Sequence, residues 1–522
     1  MFSVSSFTSC EQTAKYGCVI FTHPNNRRGL HCLLLFKSYP RMYRLKYLLA
    51  SLLIVFAGAS ASAKDGYKIH VKFTDAKDTL VYLVHYYAEP LPKIYKADSV
   101  RLDKKGEGVL QSNKETLGGI YMLLLSDMKT VYEFLLNNGD EFGITATASK
   151  VPTGISFKGS PENDHFLEYE QYLMKFSERQ QPLQAELAAA KTKADTAAVG
   201  AKQSAASKEL TAYRRSLVQK YSGTLLSTIL DALEVPEVPP APKKKDGTVD
   251  SMFSYLYYKN HYWDHFNFKD DRLIHTPIFD AKLNEYFNRL VLPVPDSVNK
   301  EADTLLARTR GRKELFKYTL WWTTRFAEQS KVMGMDQAFV NLVEKYYARG
   351  DAYWLPDSTV QKYLDRIAKI GPNMIGKVAP ELVTQGIDGK PKRLSDVKAK
   401  YTILLFFAPD CGHCITEVPK LDSVYQAALK AKGVKVYAVR TEGPEKLWRE
   451  FIQKNHLEEW TNTWDPQYTS NFRSKYDIYS TPVIYLLDEK KIIRGKRLDH
   501  SNILQVVEML DKKAAAEATG KL

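Results

Sequence analysis

Cysteine is the scarcest reactive residue in this chain, with five among 522 residues. Cys10, Cys18 and Cys32 lie near the start, and the other two form the Cys411-Gly-His-Cys414 pair. One such pair is not the disulfide framework of a small secreted domain, and it lacks the second pair of a four-cysteine zinc site. The scarcity of cysteine therefore favours redox chemistry at Cys411 and Cys414 over a structural role.

Long apolar runs are also absent, since no stretch reaches the roughly 18 residues of a membrane-spanning helix. The longest is the ten-residue segment Leu48–Ala57, which follows a basic segment and precedes the small-residue sequence Ala61-Ser62-Ala63. This pattern predicts a secretory signal peptide at residues 42–63, starting at Met42, with residues 1–41 as an upstream, non-native leader. Removal of both would leave Cys411 and Cys414 as the only thiols and no membrane span.

Acidic residues are fewer than basic ones, and the formal net charge is +14. Seven basic residues and a single acid, Glu11, lie in the first 63 positions, and a local run, Lys243–Lys245, follows a proline-rich stretch. No basic stripe or recognition motif accompanies the excess, so we expect no nucleic-acid partner. The length predicts about three domains at roughly 150 residues each.

Residues 66–158 have the pattern of a small antiparallel β domain. Polar and apolar residues alternate in Lys68–Phe73, and the turn signal Asn137-Asn138-Gly139-Asp140 lies between two apolar runs. We therefore predict a hairpin that pairs Val131–Leu136 with Glu141–Ala146. No cluster of acids, histidines or nucleophiles indicates a site here, and an interaction or spacer role is the default interpretation.

Residues 160–372 predict an all-α domain, starting at the cap signal Ser160-Pro161. Ala185–Ser207 is mostly polar and predicts an exposed helical arm, whereas the Pro/Lys-rich linker near 235–249 cannot continue a helix. The dense aromatic residues between 250 and 370 predict core, with a groove for a partner polypeptide as the alternative. His261 and His265 have a spacing that can hold a metal, but no third ligand is apparent, so no metal site is predicted.

From residue 375 to 515 strands and helices alternate. The strand Tyr401–Ala408 runs into Cys411 at the start of a helix, a second strand spans Val434–Arg440, and a β-hairpin follows Thr481-Pro482. A βαβ unit, a hairpin and a final helix, with Cys-x-x-C at the first strand-to-helix junction, predict a thioredoxin fold. The predicted fold class is thus multidomain: an antiparallel β domain, an all-α domain and a C-terminal α/β thioredoxin-like domain.

With these motifs the C-terminal region resembles the thioredoxin superfamily, and within it the exported TlpA-like thiol-disulfide oxidoreductases. The whole chain resembles a Bacteroidetes arrangement in which β and helical domains of unknown function precede the redox domain. The resemblance implies that Thr481-Pro482 is a cis-proline loop that docks substrate opposite the cysteines. Two positions depart from the pattern: the usual buried aspartate is Leu405, and the usual tryptophan before the first cysteine is Asp410.

The chemistry expected at the pair follows from its place at a helix start. A thiolate at Cys411 would be stabilised by the helix N-terminus, so its pKa should fall below the roughly 8.5 of a free thiol, and it should attack a disulfide. Cys414, one turn further in, should be more buried and should resolve the mixed disulfide. Gly412 is expected to permit close backbone approach. His413 is expected to stabilise the thiolate, and so the reduced form, which makes the disulfide a stronger oxidant; a solvated turn residue is the alternative.

Two acids near the pair have open roles. Glu417, three residues after Cys414, is expected to replace the missing aspartate as proton acceptor, as TlpA-like proteins often carry a glutamate there, although a solvated helix glutamate is the alternative. Asp410 can cap the helix or raise the pKa of Cys411 by repulsion. The residues alone do not decide between these roles.

The predicted function is thiol-disulfide exchange with exported proteins in the periplasm or cell envelope, together with an envelope redox partner. No metal or organic cofactor is expected beyond the redox-active Cys411–Cys414 disulfide. Reduction and oxidation both stay open. A peroxidase is a weaker alternative, because only Pro409-Asp410 precedes Cys411 where peroxiredoxins have Pro-x-x-x-Thr-x-x-Cys. A polypeptide-binding or scaffold protein with secondary redox activity is the alternative from another class.

Overall fold

The protein is described here from a computed structural model that covers residues 65–519 except 130, 244 and 246. The predicted leader, 1–41, and signal peptide, 42–63, lie outside the described residues. The described chain passes through a β region, a helical region and an α/β region, in that order. The predicted multidomain architecture is confirmed.

The first region contains eight strands. They are β1 (Tyr67–Phe73), β2 (Leu80–His85), β3 (Tyr95–Arg101), β4 (Glu107–Ser112), β5 (Gly119–Leu125), β6 (Val131–Leu136), β7 (Asp140–Ala146) and β8 (Ile155–Lys158). They form two four-stranded sheets, in the orders β4-β1-β7-β8 and β3-β2-β5-β6. Neighbouring strands are antiparallel except β1 and β7, whose parallel pairing departs from the purely antiparallel prediction.

The predicted hairpin between β6 and β7 is wrong. β6 pairs with β5 and β7 pairs with β1 and β8, so the turn at Asn137–Gly139 carries the chain from one sheet to the other. Asn137 holds this crossing, since its N–H donates to Asp140 at 2.7 Å and its side chain donates to Glu162 at 3.0 Å. A turn signal predicts a reversal of the chain, but it does not say which strands pair afterwards.

β5 is buried at every position because it is covered on both faces. Tyr121 and Leu123 face the other sheet of the β region, whereas Met122 and Leu124 belong to the core of the helical region. Such two-sided burial explains the continuous apolar sequence of the strand, which one half-exposed sheet would not require. The β and helical regions therefore share a core.

Helices make up the second region. They are α1 (Pro161–Ala189), α2 (Lys193–Lys220), α3 (Leu225–Ala232), α4 (Phe253–His261), α5 (Ile278–Glu285), α6 (Pro295–Thr309), α7 (Lys313–Gln329), α8 (Asp336–Leu342) and α9 (Asp357–Ile370). The ends of α1 and α2 form an exposed arm, and Thr192 and Asp195 build a capping box at its turn. None of the helices in the described part of the chain combines the length and apolar character that a membrane span requires.

The aromatic residues of the helical region are mostly core. Tyr262, Trp263, Phe266 and Phe268 are each at most 5% exposed and pack against one another. The two histidines with metal-like spacing lie nearby, and each contacts a different carboxylate. His261 Nδ1 lies 2.6 Å from Asp264, and His265 Nδ1 lies 2.8 Å from Asp231. Across the described residues, no group of histidine, cysteine and acidic side chains has the geometry of a metal site.

The third region completes the chain with seven strands and four helices among the described residues. They are β9 (Val383–Gly386), β10 (Pro391–Arg393), β11 (Tyr401–Phe407), α10 (Gly412–Val424), β12 (Val434–Arg440), α11 (Glu445–Lys454), β13 (Thr461–Trp464), α12 (Phe472–Lys475), β14 (Val483–Asp488), β15 (Ile493–Lys496) and α13 (Ile503–Ala518). The sheet order is β10-β9-β13-β12-β11-β14-β15. The sequence predicted β11, β12 and the β14–β15 hairpin, but it missed the short strands β9, β10 and β13.

The sheet of the third region is covered on both faces. One face packs against α10, α11 and α13 through residues such as Trp448 and Val507, and the other packs against Phe472 and Tyr476. β11 is an interior strand of the sheet, parallel to β12 and antiparallel to β14. The end of β11 therefore lies where a helix N-terminus and the start of β14 converge.

Candidate active site at the Cys411–Cys414 helix start

The site begins where β11 leaves the sheet. Phe407 and Ala408 are buried, Asp410 is exposed, and Cys411 is the N-cap of α10. The Cys411 N–H donates to the Ala408 carbonyl at 3.2 Å, which closes a tight turn. This turn places the first thiol above the unpaired N–H groups of the first helical turn.

The loop after β12 supports this turn from the side. Gly443 has a φ of +89°, and a Cβ built there would lie 3.1 Å from Asp410 Oδ1 and 3.2 Å from Pro409 Cγ. Glycine is required at this position both by the left-handed backbone and by the close approach. Asp410 lies against this loop, and the N-cap residue of α10 is Cys411.

Cys411 is a partly exposed free thiol. Its Sγ donates a hydrogen bond to the Thr481 carbonyl at 3.3 Å. Partial burial by itself raises the pKa of the thiol. Hydrogen bonds from the Thr481 side chain, from the backbone and side chain of Cys414 and from the backbone of His413 outweigh this effect, so the pKa is lowered. Asp410 is not among the groups that shift this pKa most, and the lowered pKa makes the thiolate more accessible at Cys411 than at a free cysteine.

Cys414 has the opposite environment. It is completely buried and packs in the same core cluster as Leu405 and Phe407. Burial raises its pKa to about 12, which keeps this thiol protonated. Two thiols three residues apart therefore differ in exposure and in acidity, with the acidic one facing solvent.

Thr481 and Pro482 lie beside the cysteines because of strand register. Phe406 is opposite Val483 across the antiparallel β11–β14 pair, so the two residues before β14 lie next to the residues after β11. Both are partly exposed, and the peptide bond between them is cis. The structure thus brings together the two chain segments, some seventy residues apart, that the sequence assigned to one site.

The two residues between the cysteines are open to solvent. Gly412 is exposed, and a Cβ built there would meet nothing within 4 Å. Among the residues that the structure describes, none would crowd a side chain at position 412, so any need for glycine there would come from a bound molecule. His413 is exposed as well, and its backbone N–H is one of the groups that lower the pKa of Cys411.

Glu417 lies one turn after Cys414 and is partly exposed. Its carboxylate accepts from Lys420 Nζ at 3.1 Å and contacts His500 Nδ1 at 2.5 Å. The hydrogen bond from Lys420, with a further contribution from His500, holds the pKa of Glu417 below its usual value. Glu417 is therefore ionised at neutral pH and oriented by two cationic or polar partners.

Sequence reasoning missed two residues near this site. His500 follows β15, 83 positions after Glu417, and no local motif links such distant residues. Arg440, the last residue of β12, is 7% exposed, and its guanidinium lies 4.2 Å from the Trp464 ring and 5.2 Å from the Trp448 ring. For Arg440, the sequence offered one signal, which is a charged residue at the end of an apolar strand. It packs beside the end of β11, where Phe407 is its strand partner.

The fold and the paired thiols define the third region as a thioredoxin-like domain. Residues 375–496 match the model of the AhpC/TSA family. Residues 67–166 and 191–375 match two domains of unknown function, DUF4369 and DUF5106. The C-terminal region is thus similar to the AhpC/TSA family, and the two regions before it are similar to domains whose function is not known.

Curated relatives carry names of the same class. A thiol-disulfide oxidoreductase, ResA, from Oceanobacillus iheyensis is 32% identical over 87 residues, which are 16% of this chain and 45% of the relative. The chain thus spans about half the length of this relative. Another ResA, from Geobacillus thermodenitrificans, is 28% identical over 125 residues, which are 23% of this chain and 70% of the relative.

Solved structures from Bacteroidetes also match this chain. A domain of a possible thiol-disulfide isomerase from Cytophaga hutchinsonii is 38% identical, covers 28% of this chain and 98% of its own, and has a TM-score of 0.27.

Proposed function

We propose that the protein exchanges disulfides with exported proteins in the periplasm or cell envelope, and that Cys411 and Cys414 carry the reaction. The observation that carries this proposal is the difference between the two thiols. One is partly exposed with a lowered pKa, and the other is buried with a pKa of about 12. Nucleophilic attack needs a thiolate, so the first thiol starts the reaction and the second finishes it.

The proposed exchange proceeds in two steps. The Cys411 thiolate attacks one sulfur of a substrate disulfide, the substrate S–S bond breaks, and the leaving thiolate takes a proton from water. Cys414 then loses its proton and attacks Cys411 Sγ, which releases the second substrate thiol and leaves a Cys411–Cys414 disulfide. The substrate gains two electrons and the protein loses two. The reverse sequence oxidises a substrate dithiol, and no metal or organic cofactor is required in either direction.

Glu417 is the proposed acceptor of the Cys414 proton. The two residues are three apart on α10, which brings their Cβ atoms to about 5–6 Å. The contacts of Glu417 with Lys420 and His500 keep it ionised and ready to accept. Thr481 and Pro482 would align the substrate polypeptide, because the Thr481 carbonyl already lies within hydrogen-bond distance of Cys411 Sγ.

The direction of electron flow is set by the reduction potential. A value near −270 mV, about that of thioredoxin, makes the protein a reductant, whereas a value near −180 mV or above makes it an oxidant or isomerase. Equilibration of the Cys411–Cys414 couple with glutathione buffers measures this directly. The redox partner in the envelope would then be an electron donor or an electron acceptor, respectively.

The test of the proposal is a Cys414→Ser trap. Without the resolving thiol, the mixed disulfide on Cys411 should persist and should be visible as a mass increase in the non-reduced protein. The Cys411→Ser, Cys414→Ser double variant is the matched control and should trap nothing. A Cys414→Ser protein that captures no more thiol-linked polypeptide than the double variant, in reduced and oxidised cells alike, would overturn the proposal.

A further inference from the structure

The helical region contacts the segment that leads into the Thr481-Pro482 loop. Arg366 of α9 makes an ion pair with Asp477, whose side chain is 2% exposed. Tyr479, two residues before Thr481, lies beneath two cations of the same helix, with Arg366 at 5.4 Å and Lys369 at 5.8 Å from its ring. The proposed substrate loop is therefore held on one side by a helix from outside the thioredoxin-like domain.

A cleft of about 540 Å³ opens beside this contact. One wall is the loop between α7 and α8, with Val332 and Met333 exposed at 42% and 36%. The other wall belongs to the thioredoxin-like domain and includes Leu498 and Val506, with Arg497 at the rim. A volume of this size is typical of sites that bury a ligand rather than of surface roughness.

The cleft is continuous in sequence with the candidate active site on two sides. Asp477 in the cleft is four residues from Thr481, and Asn502 in the cleft is two residues from His500. Chain segments of these lengths span at most about 14 Å and 7 Å. An extended polypeptide whose cysteine reaches Cys411 can therefore place a residue four or five positions away in the cleft.

We infer that this cleft between the helical and thioredoxin-like regions binds the segment of a substrate polypeptide that flanks its reactive cysteine. The inference rests on the proposed function. The walls favour an extended polypeptide with an apolar side chain, because Val332, Met333, Leu498 and Val506 form an apolar patch in the cleft and Lys331 offers a donor to a backbone carbonyl. The acids Asp336 and Asp477 in the cleft are paired with Lys496 and Arg366. The helical region would thus select for unfolded or extended chains over small disulfides.

The experiment compares a short and a long substrate on the reduced full-length protein. The probes are a Gly-Cys-Gly tripeptide and an eleven-residue peptide with a central cysteine and leucines four residues to each side. Both are supplied as mixed disulfides with glutathione. In a single turnover the Cys411–Cys414 dithiol gives two electrons to the mixed disulfide, which yields the free peptide, glutathione and the protein disulfide. Acid quench and mass spectrometry follow the reaction.

Two variants address the cleft, each with a matched control outside it. Val332→Asp places a charge on the apolar wall, and Val249→Asp is its control because Val249 is 53% exposed in the linker. Lys331→Gln removes an exposed cation from the cleft. Its control is Lys175→Gln, which removes an exposed cation from α1.

The wild type should react with the long peptide at least about 5-fold faster than with the tripeptide at subsaturating concentration, and Val332→Asp and Lys331→Gln should remove most of this preference. Both variants should react with the tripeptide as the wild type does, and the two controls should change neither rate. Equal wild-type rates for the two peptides, or slower reaction of both peptides with Val332→Asp, would overturn the inference that the cleft binds substrate. Neither result would contradict the proposed function. A wild type that reacts with neither peptide would instead refute the proposed function.

Discussion

β5 and β11 are similar strands with different consequences. Each has seven residues, and each is buried at every position. β5 pairs with antiparallel neighbours on both sides, so its ends lead into short turns. β11 has one parallel neighbour, β12, and a parallel pair needs a crossover, here through α10. The crossover places a helix N-terminus at the end of β11, where the reactive thiol lies.

The comparison shows that burial alone does not produce a site. Both strands supply a rigid core, but only the parallel arrangement directs unpaired N–H groups towards the end of a buried strand. At the end of β5 the chain turns at Ser126–Lys129, which are exposed. The thiolate of Cys411 is favoured by the geometry of this junction, and the experiments below test that difference.

The largest effect is expected for Cys411→Ser. Loss of the attacking thiolate should reduce disulfide exchange to the background rate, a fall of roughly 10³-fold or more. The measurement is turnover of a peptide disulfide by the full-length protein, with the β-region variant Ser126→Ala as a control that should keep full activity. If cells with Cys411→Ser keep the wild-type phenotype, the result favours the interpretation as a scaffold protein, in which redox chemistry is secondary.

The next largest effects are expected for the truncation of matched core residues, which should have different consequences in the two strands. Leu123→Ala in β5 and Leu405→Ala in β11 each remove a fully buried side chain and should cost about 2–5 kcal/mol in the free energy of unfolding. Only Leu405 shares a core cluster with Cys414. Denaturant unfolding measures the loss of stability. Alkylation of Cys414 measures the exposure of this thiol, which we expect to rise in Leu405→Ala and not in Leu123→Ala. Faster Cys414 alkylation in Leu123→Ala than in Leu405→Ala would contradict the comparison.

A smaller effect is expected for the glutamate that follows the junction. Glu417→Gln should slow the resolving step by about 10²-fold, because a neutral amide cannot accept the Cys414 proton. His500→Asn should slow it less, because Lys420 still holds the carboxylate. The pKa of Glu417 is lowered, so the wild-type step should lose rate only in acid, as the carboxylate protonates.

A stopped-flow measurement of the resolving step from pH 4 to 8 tests this role. Thr416→Val is the control, since Thr416 lies next to Glu417 and its hydroxyl bonds only the Gly412 carbonyl at 3.2 Å. Glu417→Gln should lose the acid limb of the profile, and Thr416→Val should keep it. An unchanged profile in Glu417→Gln would assign Glu417 to the solvated surface.

The smallest effect is expected for His413→Ser. The ring is exposed, so solvent screens its influence on the Cys411 thiolate. Loss of a partial positive charge should lower the reduction potential by about 10–30 mV. The glutathione equilibrium measures this shift, with His70→Ser, at an exposed position of β1, as a remote histidine control. A rise in potential would contradict the proposed stabilisation of the reduced form.

The scarcity of cysteine and the strand–Cys-x-x-C–helix order were enough to predict the thioredoxin-like region and the position of its two thiols at the start of a helix. Both are local patterns, since a buried strand, a turn and a helix start each leave a signal within about ten residues. The hairpin between β6 and β7 failed because pairing depends on the partner sheet and not on the turn alone.

By itself the sequence determined that two thiols stand at the start of a helix after a buried strand. Only the tertiary structure decided their difference, because exposure of Cys411 and complete burial of Cys414 depend on how α10 packs against the sheet. It also decided the approach of Thr481 through the β11–β14 register and the contact of His500 with Glu417. These contacts join residues 70 to 83 positions apart, a separation over which sequence carries no local signal and only packing sets distance.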